Sequence, residues 1–190
     1  MTVAKIKVGV MAGAEPEVAA RLVPLLDELS TEITRLDLLL LTGATTGVPD
    51  AVSRAVRARG AFTIGVSPAH NAREHTDVCK LPLDACDAII FTGFGYKGRN
   101  VVLVRSVDIV LVVAGGMGTL NEFTIAVDEG KVVGVLTGTG GIADEVEGLL
   151  PLAKRADHVF FESRPSRLLE VCLARYQSIV ELEGRKICRE

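Results

Sequence analysis

Seven short runs of this chain are apolar at nearly every position rather than at alternate ones: "KIKVGVM", "LDLLLLTG", "AFTIGVS", "DAIIFTG", "DIVLVVAG", "KVVGVLTG" and "HVFFES". A strand with one wet face alternates apolar and polar residues, so runs of this kind belong to a sheet covered on both faces, which is the habit of parallel sheets between helices. The expectation is a three-layer, Rossmann-like α/β domain with a mainly parallel sheet of about seven strands flanked by helices.

The intervening segments have helical spacing with recognisable ends. In "EPEVAARLVPLLDELS", Pro16 suits a first helical turn and Val18, Leu22, Leu25, Leu26 and Leu29 share a face, while Pro24 removes a donor and predicts a kink or a helix in two pieces. "PDAVSRAVRARG" opens on Pro49 and stops at Gly60, and "SRPSRLLEVCLARYQSIVELE" forms a long amphipathic C-terminal helix. No linker or repeat divides the chain, so residues 1–183 are read as one domain followed by a polar tail, 184–190.

Composition narrows the function classes. Lys+Arg (21) does not exceed Asp+Glu (24), Trp is absent and aromatics are 4%, a poor endowment for phosphate-backbone tracking or base-stacking platforms, so no nucleic-acid partner is expected. Lys5 and Lys7 interrupt the first apolar run, which does not read as a signal peptide, and no stretch reaches the roughly 20 apolar residues of a membrane span. Cys79, Cys86, Cys172 and Cys188 form no CxxC pair, which fits reduced thiols in a cytoplasm. His75, Cys79 and Cys86 match no standard zinc spacing, and no metal is expected.

The chemistry concentrates in "AGGMGTLNE", residues 114 to 122, directly after "DIVLVV". A strand that ends in glycines before a helix offers free backbone N–H groups and the positive end of the helix dipole to an anion. Gly115, Gly116 and Gly118 are the candidate cradle, with Thr119 capping the helix or contacting phosphate. Phosphate binding alone does not require Glu122, which is either a capping-box partner of Thr119 or a functional carboxylate. A second glycine run, "GFGYKG" (residues 93 to 98), matches GxGxxG, but it lacks the acidic residue about 20 positions on and is not in the first βαβ unit, so a flexible loop is the better reading. It nevertheless sets Lys97, Arg99 and Asn100 near the C-terminal edge of the sheet.

These residues carry a resemblance. "GRNVVLVRSVDIVLVVAGGMGTLNEFTIA" is similar to the core of the LOG-like (SLOG) Rossmann superfamily, marked by Gly-Gly-x-Gly-Thr, a glutamate soon after and an upstream arginine. That superfamily includes the Lonely Guy nucleoside 5'-monophosphate phosphoribohydrolases, proteins often mislabelled lysine decarboxylases, and molybdenum-cofactor carriers. "LTGATTGVPDAVSRAVRARGAFTIGVSP" resembles its second glycine motif.

The resemblance implies catalytic roles for Arg99 and Glu122, a phosphate or nucleotide site formed by Gly43, Thr46, Gly47, Asn100, Gly115, Gly116, Gly118 and Thr119, and a helical rather than extended "NVVLVRS". It also matches Arg105, Ser106 and Asp108 to a family pattern, with Asp108 read mainly as the start of the central strand. The family's phosphoribohydrolases usually have Pro where this chain has Ala114, and Lys where it has Asn100; "GRN" and "RSVD" look more like the molybdenum-cofactor-carrier branch.

The implied activity is hydrolysis of a nucleoside 5'-monophosphate to free base and ribose 5-phosphate, with no external cofactor, in a homodimer or higher homo-oligomer. The alternative is a non-catalytic carrier or sensor of a pterin phosphate or nucleotide; lysine decarboxylation has no supporting site. Gly13, after the first strand, and Gly140, in "LTGTGGIADEVEGLL", are further candidate contacts at the same sheet edge. His70 and His75 fall in a long connection, 67–84, where exposed polar roles are the default and a lid or subunit contact is a natural use; His158 reads as structural.

Overall fold

The computed structural model describes residues 4–154 and 156–187, with side chains to residue 182. Its strands are β1 (Lys7–Ala12), β2 (Leu39–Thr42), β3 (Thr63–Ser67), β4 (Ala88–Phe91), β5 (Ile109–Val113), β6 (Val132–Leu136) and β7 (Val159–Glu162), one for each of the seven apolar runs. The helices are α1 (Pro16–Arg21), α2 (Val23–Arg35), α3 (Val48–Ala58), α4 (Gly95–Arg105), α5 (Met117–Asp128) and α6 (Pro165–Ile187).

All six strand pairings are parallel, in the order β4-β3-β2-β1-β5-β6-β7. Every residue of β5 is fully buried because both faces are covered. On one face Val8, Val10, Ile109, Leu111 and Val113 meet α2, α3 and α6; on the other Met11, Val110 and Val112 meet Leu103 and Val104 of α4 and Phe123 and Ala126 of α5.

Local signals explain the breaks. The first helical pattern splits at Leu22, which places Pro24 in the first turn of α2, where its missing N–H costs nothing. The valine-rich stretch before β5 is helical, as the resemblance implied. Burial of Arg99, Asn100, Leu103 and Val104 along α4 outweighs the strand preference of its valines. "GFGYKG" is not a flexible loop: Phe94 precedes the helix and Gly95 to Gly98 form the first turn of α4. The expected tail is partly helical too, since α6 continues to Ile187; residues 188–190, with Cys188, lie outside the described residues.

The 67–84 connection is tied down rather than left as an open lid. A π-helical turn, Glu74–Val78, buries His75 completely, which corrects the expectation that this histidine faces solvent. The Pro82 carbonyl can only accept, so His75 Nε2–H donates to it (3.0 Å) and Nδ1 accepts from the Ser67 hydroxyl (2.8 Å). The ring also meets Phe91 edge-on at 5.9 Å. His70 stays exposed, and His158 is buried with Nε2–H donating to the Val127 carbonyl (3.2 Å). Among the described residues no helix is long and apolar enough to cross a membrane.

The chain runs outward from β1 to β4 and returns to β5 on the other side of β1. Connections leave the C-terminal ends of β1 and β5 in opposite directions, and a crevice opens between them, the usual ligand position in sheets of this kind. The loop after β2 closes its side. Gly47 there has φ +72°, and a Cβ would stand 2.4 Å from the backbone carbon of Ala14 in the loop after β1. Gly47→Ala should therefore cost about 2 to 4 kcal/mol, from the left-handed conformation and a contact with backbone that cannot swing away. A thermal melt checks this; an unchanged Tm would mean that the two loops are not locked together.

Candidate functional site

The cradle forms where β5 meets α5. Ala114 (φ +49°) and Gly115 (φ +87°) are consecutive left-handed residues that turn the chain sharply out of the sheet. Gly116 then caps α5, with no side chain completing the cap. Thr119 is thus the third helical residue rather than its cap, which corrects the capping expectation and removes the capping-box role from Glu122. The N–H groups of Met117, Gly118 and Thr119 have no intrahelical acceptor, as in any first helical turn. Where a Cβ would stand at Gly116 or Gly118 there is open space, so an anion can approach the backbone.

Beside this cradle lies a cleft of about 230 Å³, reached by Gly13, Glu15, Gly43, Lys97, Arg99 and Glu122 among others. It is smaller than the roughly 300–1,000 Å³ of clefts that enclose drug-sized ligands.

Arg99 and Glu122 are 6% and 5% exposed and face each other, Nη1 to Oε1, at 3.9 Å. This is too long for a hydrogen bond, and Arg99 Nε is buried without any partner. The guanidinium therefore retains donor capacity for an incoming anion. Burial pushes the Glu122 carboxyl up from 4.5 to about 7, against the opposing pull of Arg99 and Lys97, and burial also lowers the Arg99 pKa. With its amide turned so that both atoms find partners, Asn100 donates to Glu122 Oε1 (3.0 Å) and to the Tyr96 carbonyl (2.9 Å). Gly43 explains how a guanidinium fits here: a Cβ on it would lie 1.7 Å from Arg99 Nη1.

Among known proteins, the SLOG cluster4 family matches residues 5–169, a stretch that includes the whole cleft. The chain belongs to that family. Its relatives include an uncharacterized protein of Archaeoglobus fulgidus, 34% identical over 98 residues; the chain spans about 59% of that curated relative's length, and the match covers 52% of the chain itself.

Among solved structures, the TM1055 protein superposes with a TM-score of 0.77 at 25% identity, covering 87% of this chain and 97% of that one. The molybdenum cofactor binding protein of Rippkaea orientalis gives 0.69 at 27%, over 94% and 99%. The molybdenum cofactor carrier protein of Chlamydomonas reinhardtii gives 0.72 at 25%, over 90% and 99%.

For a SLOG cluster4 chain, the expected site residues divide into two groups. Arg99, Glu122, Gly13, Gly43, Asn100, Gly116, Gly118 and Thr119 come together around the cleft. Gly115, Thr46, Gly47 and Gly140 do not line it: Thr46 donates its hydroxyl to the Ala14 carbonyl (2.7 Å), and the Gly140 amide donates to Asp144 (2.8 Å). Arg105, Ser106 and Asp108 lie near the opposite edge of the sheet, where Asp108 pairs with Lys7 at 2.8 Å and Arg105 with Glu129 at 2.7 Å.

Glu15, Thr45, Tyr96 and Met117 also line the cleft and were not expected. Helical spacing offered a signal for Tyr96, one turn before Arg99; Glu15 sits two residues beyond Gly13 at the end of β1. His75, Cys79 and Cys86 do not form a centre: among the described residues no group of three or more His, Cys, Asp or Glu is placed to hold a metal ion.

Proposed function

We propose that this chain binds a phosphorylated small molecule with its phosphate on the α5 cradle, and that the favoured ligand is a nucleoside 5'-monophosphate whose N-glycosidic bond it hydrolyses. The observation that carries this reading is the buried Arg99–Glu122 pair beside the cradle, with an unpartnered Arg99 donor and a carboxyl poised near neutrality. A group that only bound phosphate would gain nothing from a buried carboxylate, because it repels the anion.

In the proposed reaction the C1'–N bond breaks with its electron pair leaving on the base. Ionised Glu122 offsets the positive charge developing on the ribose and accepts a proton from the attacking water, whose oxygen bonds to C1'; a proton ends on the departing base. Arg99 holds the phosphate or the departing base. The products are free base and ribose 5-phosphate.

A second reading, carriage of a pterin phosphate without turnover, is supported by the likeness to the molybdenum cofactor binding and carrier proteins. Both readings use one phosphate site. The deciding experiment incubates purified protein with a panel of nucleoside monophosphates and quantifies free base and ribose 5-phosphate. We expect release from at least one member; nucleotide binding with no release from any would abandon hydrolysis and leave carriage or sensing.

A further inference from the structure

The glycine-rich segment after β6, "TGTGGIAD", is not part of the cleft, although its sequence resembles a ligand loop. Several of its amides are already used. Gly138 and Gly140 donate to the two carboxylate oxygens of Asp144, at 2.6 and 2.8 Å, which closes the segment on itself. A 3₁₀ turn, Gly141–Asp144, then packs beneath the cradle: Ile142 N–H donates to the Gly115 carbonyl (2.8 Å) and Ala143 N–H to the Ala114 carbonyl (3.2 Å). The approach is close enough that a Cβ on Gly141 would meet the Gly115 oxygen at 2.3 Å.

At the centre is Thr139, 1% exposed. Its hydroxyl donates to the Leu136 carbonyl (2.7 Å) and accepts from Ala114 N–H (2.8 Å), while its own carbonyl accepts from Arg21 Nη2 (3.0 Å). Ala114 and Gly115 are the two left-handed residues that reverse the chain before α5, and left-handed backbone at alanine persists only where its surroundings impose it. Both backbone polar groups of Ala114 and the carbonyl of Gly115 are bound from this one segment. Those bonds fix the backbone immediately ahead of Gly116, Met117, Gly118 and Thr119, which line the cleft.

We propose that Thr139 is a positioning residue for the anion cradle, acting through Ala114 and Gly115, and that the segment 138–144 is a brace rather than a contact for ligand. The inference rests on the phosphate-binding reading of the cleft. Thr139→Val keeps the volume but removes the hydroxyl and leaves Ala114 N–H buried without an acceptor; Thr139→Ser restores it.

The test measures AMP and inorganic phosphate binding by calorimetry on the full chain, with Leu169→Ala, a core change under the opposite helix layer, as a control for general destabilisation. The expected result is roughly tenfold weaker AMP and phosphate binding in Thr139→Val, affinity within about twofold of wild type in Thr139→Ser, and unchanged affinity in Leu169→Ala despite a lowered Tm. Wild-type affinity in Thr139→Val, or an equal loss in Leu169→Ala, overturns the brace while leaving the cleft reading intact. Absence of AMP and phosphate binding by the wild type overturns the cleft reading, and the brace with it.

Discussion

Replacing Glu122 by glutamine should suppress base release by about 10²- to 10⁴-fold while the nucleotide stays bound, because the change removes only the charge and proton-accepting capacity that the reaction requires. Glutamine keeps the shape and one oxygen, so Asn100 retains an acceptor at the position of Oε1. Removing a negative charge beside the cradle should leave AMP affinity unchanged or tighter. Steady-state release assays and calorimetry separate the two quantities, and full turnover in the glutamine variant would eliminate Glu122 from the chemistry.

The same carboxyl should write opposite slopes into two pH profiles. Release requires the ionised form, so it should rise with pH through about 7, where burial has set the Glu122 pKa. Stability runs the other way. The folded value lies above the ordinary 4.5, so between these values the folded protein keeps a proton that the unfolded chain has lost. The wild type should therefore lose stability relative to Glu122→Gln as pH rises across that window, and the difference should fade below about pH 4.5. Paired melts of the two proteins check the sign.

Gly43→Ala should produce the second large loss, of roughly 100-fold or more in base release, by moving a residue that the substitution does not itself replace. The added methyl would fall 1.7 Å from Arg99 Nη1, and the buried guanidinium has to shift from its place beside Glu122. The clash is with the end of a side chain rather than with backbone, so the melting temperature should change far less than in Gly47→Ala. Activity and AMP affinity measured beside Tm distinguish the cases. Wild-type kinetics in Gly43→Ala would show that the position of Arg99 does not matter.

How much was legible beforehand depended on the range of the interaction responsible. "DIVLVV" announced a doubly covered strand because burial on both faces leaves a continuous apolar signature in a single run. "AGGMGTLNE" announced a glycine turn into a helix N-terminus for a similarly local reason: the missing Cβ atoms and the strand-to-helix turn lie within a few residues of one another. "NVVLVRS" was misleading by composition alone, since its helix is secured by packing of Leu103 and Val104 against a sheet formed by distant segments.

His75 shows the other limit. Nothing adjacent to it predicts burial, because the groups that satisfy its ring, Ser67 and the Pro82 carbonyl, meet only when the connection folds back. Gly140 and Thr139 show it within one motif: the glycine pattern was visible, but whether its amides faced a ligand or Asp144 depended on how a 3₁₀ turn packed beneath another loop.

The sequence by itself therefore determined the parallel sheet, the alternating helices and the chemical types available at the strand ends, because hydrophobic periodicity and backbone permissiveness act over a few residues. Only the tertiary structure decided which of those residues share a cleft, that Glu122 loses enough water to hold its proton near neutrality, and that Arg99 keeps a buried donor unpaired. Desolvation and spare hydrogen-bonding capacity are set by everything that surrounds a group, and those surroundings come from loops that are far apart along the chain.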